Sequence, residues 1–347
     1  MKPVHIVVAG AGGNTGSHLL PHLARMSGIA RLTLVDSDVY EPANLAVQNI
    51  DSRDIGQPKV AAQAKKLQLI NSHLEINALQ ERIEDVPRGL LRGGLIVSCL
   101  DSRAARQHVN EIAWRLKTPW IDCGILGSQN LARVNYYTSE QDAPCLECAW
   151  GPDEYALIEQ EYLCGAGSGS AYPSMASSAL GALAASLMAL EIAKLISSEF
   201  SEPIPARQVL IDAQHHHLRI STSRRNPWCR FDHRHWVIKP WRCQTESTTL
   251  GAALKTLGSL RVEGHRFVQE MLCPGCGHME NALRLNRPLA RCSVCNRRMV
   301  SAGFGSLERL DKDLAGESVN LTLAQIGLRA GDIVSCGKWQ HRELEAA

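Results

Sequence analysis

Val4-His-Ile-Val-Val-Ala9 runs into Gly10-Ala-Gly-Gly-Asn-Thr-Gly16, and Leu32-Thr-Leu-Val-Asp36 follows after a helical interval. The first segment is short, apolar and β-branched, which suits a buried strand. Beyond the glycines, Leu19, Leu20, Leu23 and Met26 recur at helical spacing. The order is strand, glycine turn, helix, strand, acid. Glycines let the backbone turn tightly and approach a phosphate. The free N–H groups at the helix start favour negative charge. Asp36 stands about 20 residues beyond Gly16, where an acid takes ribose hydroxyls. Gly10, Gly12 and Gly16 make GxGxxxG, one residue longer than the dinucleotide fingerprint. The motif alone leaves a dehydrogenase, a methyltransferase and an adenylating enzyme open, with a ligand-free glycine turn as the plain alternative.

The chain has 347 residues, enough for two domains or one large domain with an appendage. A net charge of +2 argues neither for nor against nucleic acid, and no nucleic-acid partner is expected. The first strand begins within a few residues of Met1, so no export signal is expected, and the chain reads as cytoplasmic. Residues 175–196 are rich in Ala and Leu but contain Ser177, Ser178, Ser186, Glu191 and Lys194. A close-packed core helix is expected there, not a membrane span. Twelve cysteines in such a compartment read as metal ligands and a candidate reactive thiol rather than disulfides.

Strand and helix patterns keep alternating. Lys59–Ile70 and Ser102–Leu116 read as helices, the second with Ser102 as N-cap. Leu74–Leu79, Gly94–Leu100, Pro119–Gly124 and Arg133–Tyr137 read as strands. This predicts an α/β fold: a Rossmann-like, doubly wound, mostly parallel sheet with helices on both faces. Ligands of such sheets bind beyond the carboxyl ends of the strands, where the glycine turn, Asp36 and Asp101 should converge. Residues 159–173 read as a glycine-rich loop holding Cys164. Val209–Asp212 and His217–Ser221 suggest a hairpin with His215-His-His217 at a solvated turn. A smaller α+β module is expected from Trp236 on. It has a short helix at Thr249–Leu257, a strand at His265–Met271 and a terminal stretch, Leu321–Cys336. The expected domains are thus 1–235 and 236–347.

Cys273-Pro-Gly-Cys276 and Cys292-Ser-Val-Cys295 are two knuckles separated by fifteen residues. They supply four thiolates for a tetrahedral structural zinc, a zinc ribbon at about 271–298 with no open catalytic position. Cys145 and Cys148 form a lone knuckle. Cys229 and His233 are the favoured completion, giving a Cys3His zinc, with Cys243 as an alternative partner and His233 or His235 as plain surface residues otherwise.

The first 235 residues resemble the ThiF/MoeB family, relatives of ubiquitin-activating enzymes. The resemblance rests on Gly10-Ala-Gly-Gly13, on Val35-Asp-Ser-Asp-Val39 followed by Pro42-Ala-Asn-Leu45 and Gln48, and on Gly56-Gln-Pro-Lys59. Ser98-Cys-Leu-Asp101 with Arg106, and Pro144-Cys-Leu-Glu-Cys148, extend it. It implies activation of the C-terminal carboxylate of a ubiquitin-like or sulfur-carrier protein with Mg-ATP, giving an acyl-adenylate and pyrophosphate. Gly10, Gly12, Gly13 and Asn14 would then cradle the nucleotide. Asp36, with Asp38 beside it, would serve the ribose end, Asn44 and Lys59 the phosphates, and Asp101 the Mg²⁺. Lys59 and Asp101 would be catalytic, alongside Cys164, which falls where some members accept the carboxyl as a thioester. An ordinary loop cysteine is the alternative at that position. Members are dimers or pseudo-dimers, so a homodimer or heterodimer is implied, and a conjugating enzyme is a further implied partner.

Three departures stand out. The arginine of the family's N-L-x-R-Q signature is Val47 here. Only three residues precede Val4, so no counterpart of the family's N-terminal arm with its ATP-contacting arginine is expected. The glycine loop carries one extra residue. Arg53, Arg103, Arg106 or a partner chain are the candidate replacements for the lost charge. The same departures motivate a second expectation, a non-catalytic docking subunit, and a nicotinamide dehydrogenase is the third. Leu321–Val334 faintly resembles the closing turn and strand of β-grasp domains, which suggests a partner-docking role for the second module.

Overall fold

Eight strands form one sheet in the order β3-β2-β1-β4-β5-β6-β7-β8. They are β1 (Val4–Ala9), β2 (Ile29–Val35), β3 (Glu75–Leu79), β4 (Leu95–Ser98), β5 (Trp120–Leu126), β6 (Leu131–Tyr137), β7 (Arg207–Asp212) and β8 (His217–Thr222). The computed structural model describes residues 4–163, 176–196, 206–287, 291–302, 305–336 and 340–345. Strands β1 to β5 pair in parallel, and β5 to β8 pair antiparallel. The parallel half is the expected doubly wound arrangement. Its inner strands β1 and β4 are buried on both faces, which explains the unbroken apolar run of β1, whereas the edge strand β3 is largely exposed.

Five helices accompany this sheet: α1 (Asn14–Leu23), α2 (Lys59–Ile70), α3 (Arg103–Leu116), α4 (Pro152–Leu163) and α5 (Ser178–Ile196). Helix α3 starts where Ser102 Oγ accepts the Ala105 N–H at 3.3 Å, and ends at Lys117, whose φ is 55°. Helix α4 differs from the sequence expectation, which has residues 159–163 in a loop. Pro152 opens it with a preset φ, and Asp153 and Glu154 fall in the first turn, where acids suit the helix dipole. The glycines beyond residue 164 draw the expected loop too far back. Cys164 and the glycines around it lie outside the described residues.

Helix α5 is long and apolar enough to cross a membrane by length and composition. It sits instead against α1 and the sheet, with Leu180, Ala184, Ala185, Met188 and Ile192 buried in one core with Ile6, Val8, Leu19, Leu32 and Val134. Its small residues permit this closeness. A Cβ added at Gly181 would lie 1.9 Å from Asn14 Oδ1 of α1.

The chain divides into two compact units, Met1–Ile83 with Gly93–His235, and Glu84–Arg92 with Trp236–Ala347. The second therefore includes a segment that the sequence assigns to the first. Three contacts explain this: Gly89 N–H donates to Gly331 O at 2.8 Å, Arg329 donates to Asp85 O at 2.9 Å, and Arg88 covers the Trp236 ring at 5.2 Å. No local periodicity announces such long-range pairings. Within this unit β9 (Ile238–Arg242), α6 (Leu250–Leu257) and β10 (Arg261–Val262) come first. Strands β11 (Phe267–Leu272), β12 (Met279–Leu285), β13 (Val300–Ser301) and β14 (Ser306–Leu307) build the cysteine ribbon. Helix α7 (Lys312–Ala315), β15 (Ile333–Ser335) and β16 (His341–Glu345) close it. The other sheet runs β10-β15-β16-β9, with β9 and β16 parallel. Its core gathers Leu250, Leu254, Phe267, Leu285, Leu323, Ile326 and Val334, and Arg287 pairs with Asp332 beneath the surface.

Met188 of α5 is fully buried, whereas Leu190 is 60% exposed. Met188→Ala should lower stability by about 2–5 kcal/mol. Leu190→Ala should change it by less than about 0.5 kcal/mol. Urea unfolding of the full chain separates the two; equal effects would contradict a core role for α5.

Candidate active site and metal centres

The glycine turn is held at Gly12 from three directions. Its N–H donates to Asp36 Oδ2 at 2.8 Å, so the acid at the end of β2 grips the turn at the end of β1. Its carbonyl accepts the Tyr40 hydroxyl at 3.2 Å, and Gln63 Nε2 donates to that hydroxyl at 2.7 Å. A Cβ at Gly12 would lie 2.4 Å from Lys59 Cβ, so the bare α-carbon is what admits the lysine stem. Gly10, with φ +77°, similarly lies against the Cys99 carbonyl at the end of β4. Gly13 caps α1.

Lys59 is buried along its stem, and its ammonium meets Asp38 Oδ2 at 3.0 Å. Its own N–H donates to Asp38 O at 2.9 Å, which fixes the first turn of α2 against the acid-rich end of β2. Asp36 Oδ1 accepts the Asp38 N–H at 3.1 Å. Burial pushes the Asp36 carboxyl above its usual range, opposed by Lys59 and by the Asp38 and Gly12 N–H groups. Gly12, Asp36, Asp38 and Lys59 thus converge at one point, a cation and two acids around a glycine turn. That arrangement can hold a nucleotide's ribose at the acids and its phosphates at the lysine and the N–H groups of α1.

The remaining predicted residues are placed differently. Asn44 Oδ1 accepts the Glu41 N–H at 2.9 Å, a capping contact within its own short turn. Asn14 Nδ2 reaches the Ala176 and Ser177 carbonyls at 3.3 and 3.2 Å, tying α1 to the start of α5. Asp101 is exposed at the bend after β4, one residue before the N-cap of α3. A hard cation would find a carboxylate there. Tyr40 and Gln63, both buried, are invisible to sequence reasoning. Nothing in their spacing sets them apart from ordinary core and helix residues.

The first metal cluster brings Cys145, Cys148, Cys229 and His233 together, with ligand atoms within 4.8 Å of one another. A tetrahedral zinc with Zn–S bonds of about 2.3 Å sets its sulfurs about 3.8 Å apart. Cys145 Sγ lies 3.8 Å from Cys148 Sγ and 3.7 Å from Cys229 Sγ, and Cys148 Sγ lies 3.4 Å from His233 Nε2. His233 Nδ1 donates to Phe231 O at 2.7 Å, which turns Nε2 toward the sulfurs. The hydrogen bond from Cys145 lowers the Cys148 thiol, toward the thiolate that a metal needs, while burial holds Cys145 itself protonated in the metal-free cluster. Helix α3 clamps this knuckle. Glu147, between the cysteines, accepts from Gln107 at 3.0 Å, Asn110 at 3.3 Å and Tyr155 at 3.1 Å, and Asn110 Oδ1 accepts the Leu146 N–H at 3.0 Å. Trp114 meets the His233 ring edge-on at 4.8 Å.

The second cluster, Cys273, Cys276, Cys292 and Cys295, likewise has its ligand atoms within 4.8 Å. Cys273 and Cys295 sulfurs are 3.4 Å apart and those of Cys276 and Cys292 3.6 Å. Each knuckle is a tight turn closed by the Gly277 N–H on Cys273 O and the Asn296 N–H on Cys292 O, both at 2.9 Å. Both donor sets fit a four-coordinate zinc with no open position.

Two outcomes are expected. Because the folded protein raises the Asp36 pKa, this group favours folding below the unfolded value and loses that contribution as pH rises through the folded value. The melting-temperature difference between Asp36→Asn and the wild-type chain, both nucleotide-free, should therefore move in favour of the asparagine variant as pH rises from 4 to 7, and thermal unfolding at a series of pH values checks this. Second, metal analysis of the purified chain should give one zinc per cluster, with His233→Ala removing one and Cys295→Ser the other. Chelation of the first should change Trp114 fluorescence. A His233→Ala protein with unchanged zinc content would remove that residue from the site.

Residues 1–231 match the ThiF family. The molybdopterin-synthase adenylyltransferase of Salmonella typhimurium is 28% identical over 235 residues, 66% of this chain and 87% of that protein. The sulfur carrier protein adenylyltransferase of Thermus thermophilus is 30% identical over 236 residues, 66% of this chain and 82% of that protein. The crystal structure of E. coli MccB with ATP is similar in fold, with a TM-score of 0.54 and 24% identity over 65% of each chain. With the family matched over most of its length and the glycine turn, acids and lysine brought together, the chain belongs to the ThiF family and is an enzyme of the adenylyltransferase kind.

Proposed function

We propose that the chain uses ATP to adenylate the C-terminal carboxylate of a small ubiquitin-like or sulfur-carrier protein. The observation that carries this reading is the convergence of Asp36, Asp38 and Lys59 on Gly12. The names of its relatives support the reaction class. The tail carboxylate, already ionised, attacks the α-phosphorus. A new P–O bond forms, the bond to the β-phosphate breaks, and pyrophosphate leaves with the electron pair; no proton has to move.

Each residue has a task in this reading. Asp36 holds the ribose hydroxyls while keeping the Gly12 N–H. Lys59, released in part from Asp38, offsets the charge that grows on the phosphates. Asp101 would hold Mg²⁺, which when bound neutralises phosphate charge and steadies the leaving group. The two zinc sites are structural. A later transfer to the Cys164 thiol as a thioester, a conjugating partner, a dimer and a cytoplasmic setting belong to the same proposal and rest on the sequence alone.

Pyrophosphate exchange into ATP, measured with each small ubiquitin-like or sulfur-carrier protein of the same genome, tests the reading. Exchange should require one such carrier. Lys59→Met and Asp101→Ala should each lower it by roughly 100-fold or more. Tight ATP binding without exchange on any carrier would sink catalysis and favour the docking-subunit reading that Val47 motivates.

A further inference from the structure

The face of the sheet beneath α3 holds a charged group that the nucleotide site does not use. Asp122 of β5 is fully buried, with Oδ1 3.5 Å from Arg106 Nε and Oδ2 3.5 Å from Arg133 Nη2. Both guanidiniums meet over one glycine. A Cβ at Gly124 would lie 2.7 Å from Arg133 Nε and 3.2 Å from Arg106 Nη1. Two cations therefore share one carboxylate, and the group keeps a net positive charge. Its distances are those of ion pairs, not of hydrogen bonds, and neither Asp122 oxygen has a hydrogen-bond partner among the described residues. Ser98 Oγ and Asn135 Oδ1, the cross-strand neighbours of Asp122, are also buried without one. Buried polar atoms are nearly always satisfied, so a row of them beside two forked cations points to a polar group that belongs there.

The position suits the adenylation centre. Arg106 Nε donates to Leu100 O at 3.0 Å, on the turn that carries Asp101. The same turn borders Gly10 through the Cys99 carbonyl. By strand spacing, β5 lies about 10 Å from β1 and its glycine turn. Arg133 stands opposite Gly124 near the carboxyl end of β5, and its side chain is 34% exposed.

We propose that Arg106 and Arg133, joined by Asp122 over Gly124, form an oxyanion subsite of this centre, which takes the terminal carboxylate of the substrate or a phosphate of the nucleotide. The subsite deepens the adenylation reading and rests on it. The forked donors of arginine match either anion in bidentate fashion, and Asp122 holds the forks in place while leaving one charge uncompensated. Gly124 is what lets the two side chains reach one point.

Binding measurements on the full chain test this without a known carrier. Mg-ATP and AMP are titrated by calorimetry, and N-acetylglycine by NMR with N-acetylglycinamide as its uncharged control. Arg133→Gln should weaken one anion by roughly tenfold or more and leave the amide untouched. A loss confined to N-acetylglycine assigns the subsite to the tail carboxylate; a loss for ATP greater than for AMP assigns it to the outer phosphates. Arg133→Lys, which keeps the charge and loses the fork, serves if the glutamine variant does not fold, and should lose about threefold. Unchanged affinities for both anions in a folded variant, or a wild-type chain that binds neither, would overturn the subsite and leave the triad structural. A wild-type chain that binds N-acetylglycine but no ATP would defeat the adenylation reading while the subsite still stood.

Discussion

The peptide of Gly12 is the constraint on which the nucleotide crevice depends. Its N–H is held by the acid that ends β2, its carbonyl by a buried tyrosine on the following loop, and its bare α-carbon by the stem of Lys59. Two later stretches of the chain, residues 36–40 and the start of α2, are thereby fixed on one residue. Any side chain at this position would displace the lysine. The Asp36 carboxylate remains ionisable in a partly dry setting because the Lys59 charge and two N–H groups oppose its burial. An acid so held keeps one orientation at the end of β2, set by the two N–H groups it accepts.

Helix α3 carries a second set of constraints. Its N-terminus follows Asp101, its first turn supplies Arg106, and its middle grips the Cys145–Cys148 knuckle through Asn110 and Gln107. Burial raises the Glu147 carboxyl, and three donors counter it, so the knuckle is fixed by hydrogen bonds as well as by its thiols. The metal cluster and the strand-end acid therefore share one rigid element. Displacement of the knuckle would be felt at Arg106 through a helix that is stiff over these few turns.

Much of this is legible in the order of residues alone. Apolar runs and helical spacing are local, so β1, α1, α2, α3 and the parallel half of the sheet follow from them. Cysteine spacing is local as well, and the knuckles at 145–148, 273–276 and 292–295 announce themselves. The completion of the first cluster by Cys229 and His233 is only one of several pairings open to the sequence, because more than 80 residues separate it from Cys148. The end of α4 escapes for a related reason: glycines beyond residue 164 outweigh a sound helix start at Pro152.

The fold class, the glycine turn with its acid and lysine, and the three cysteine knuckles are written in residue types at short, fixed spacing, and so are readable from the order of residues. Folding alone brings Tyr40 and Gln63 onto the turn, ties Asn14 to the start of α5 and completes the first cysteine cluster with Cys229 and His233. It alone joined residues 84–92 to the second unit and gathered Arg106, Arg133 and Asp122 over Gly124. These depend on which side chains meet across strands and helices distant in the chain. Packing and charge pairing set such meetings, and no local pattern encodes them.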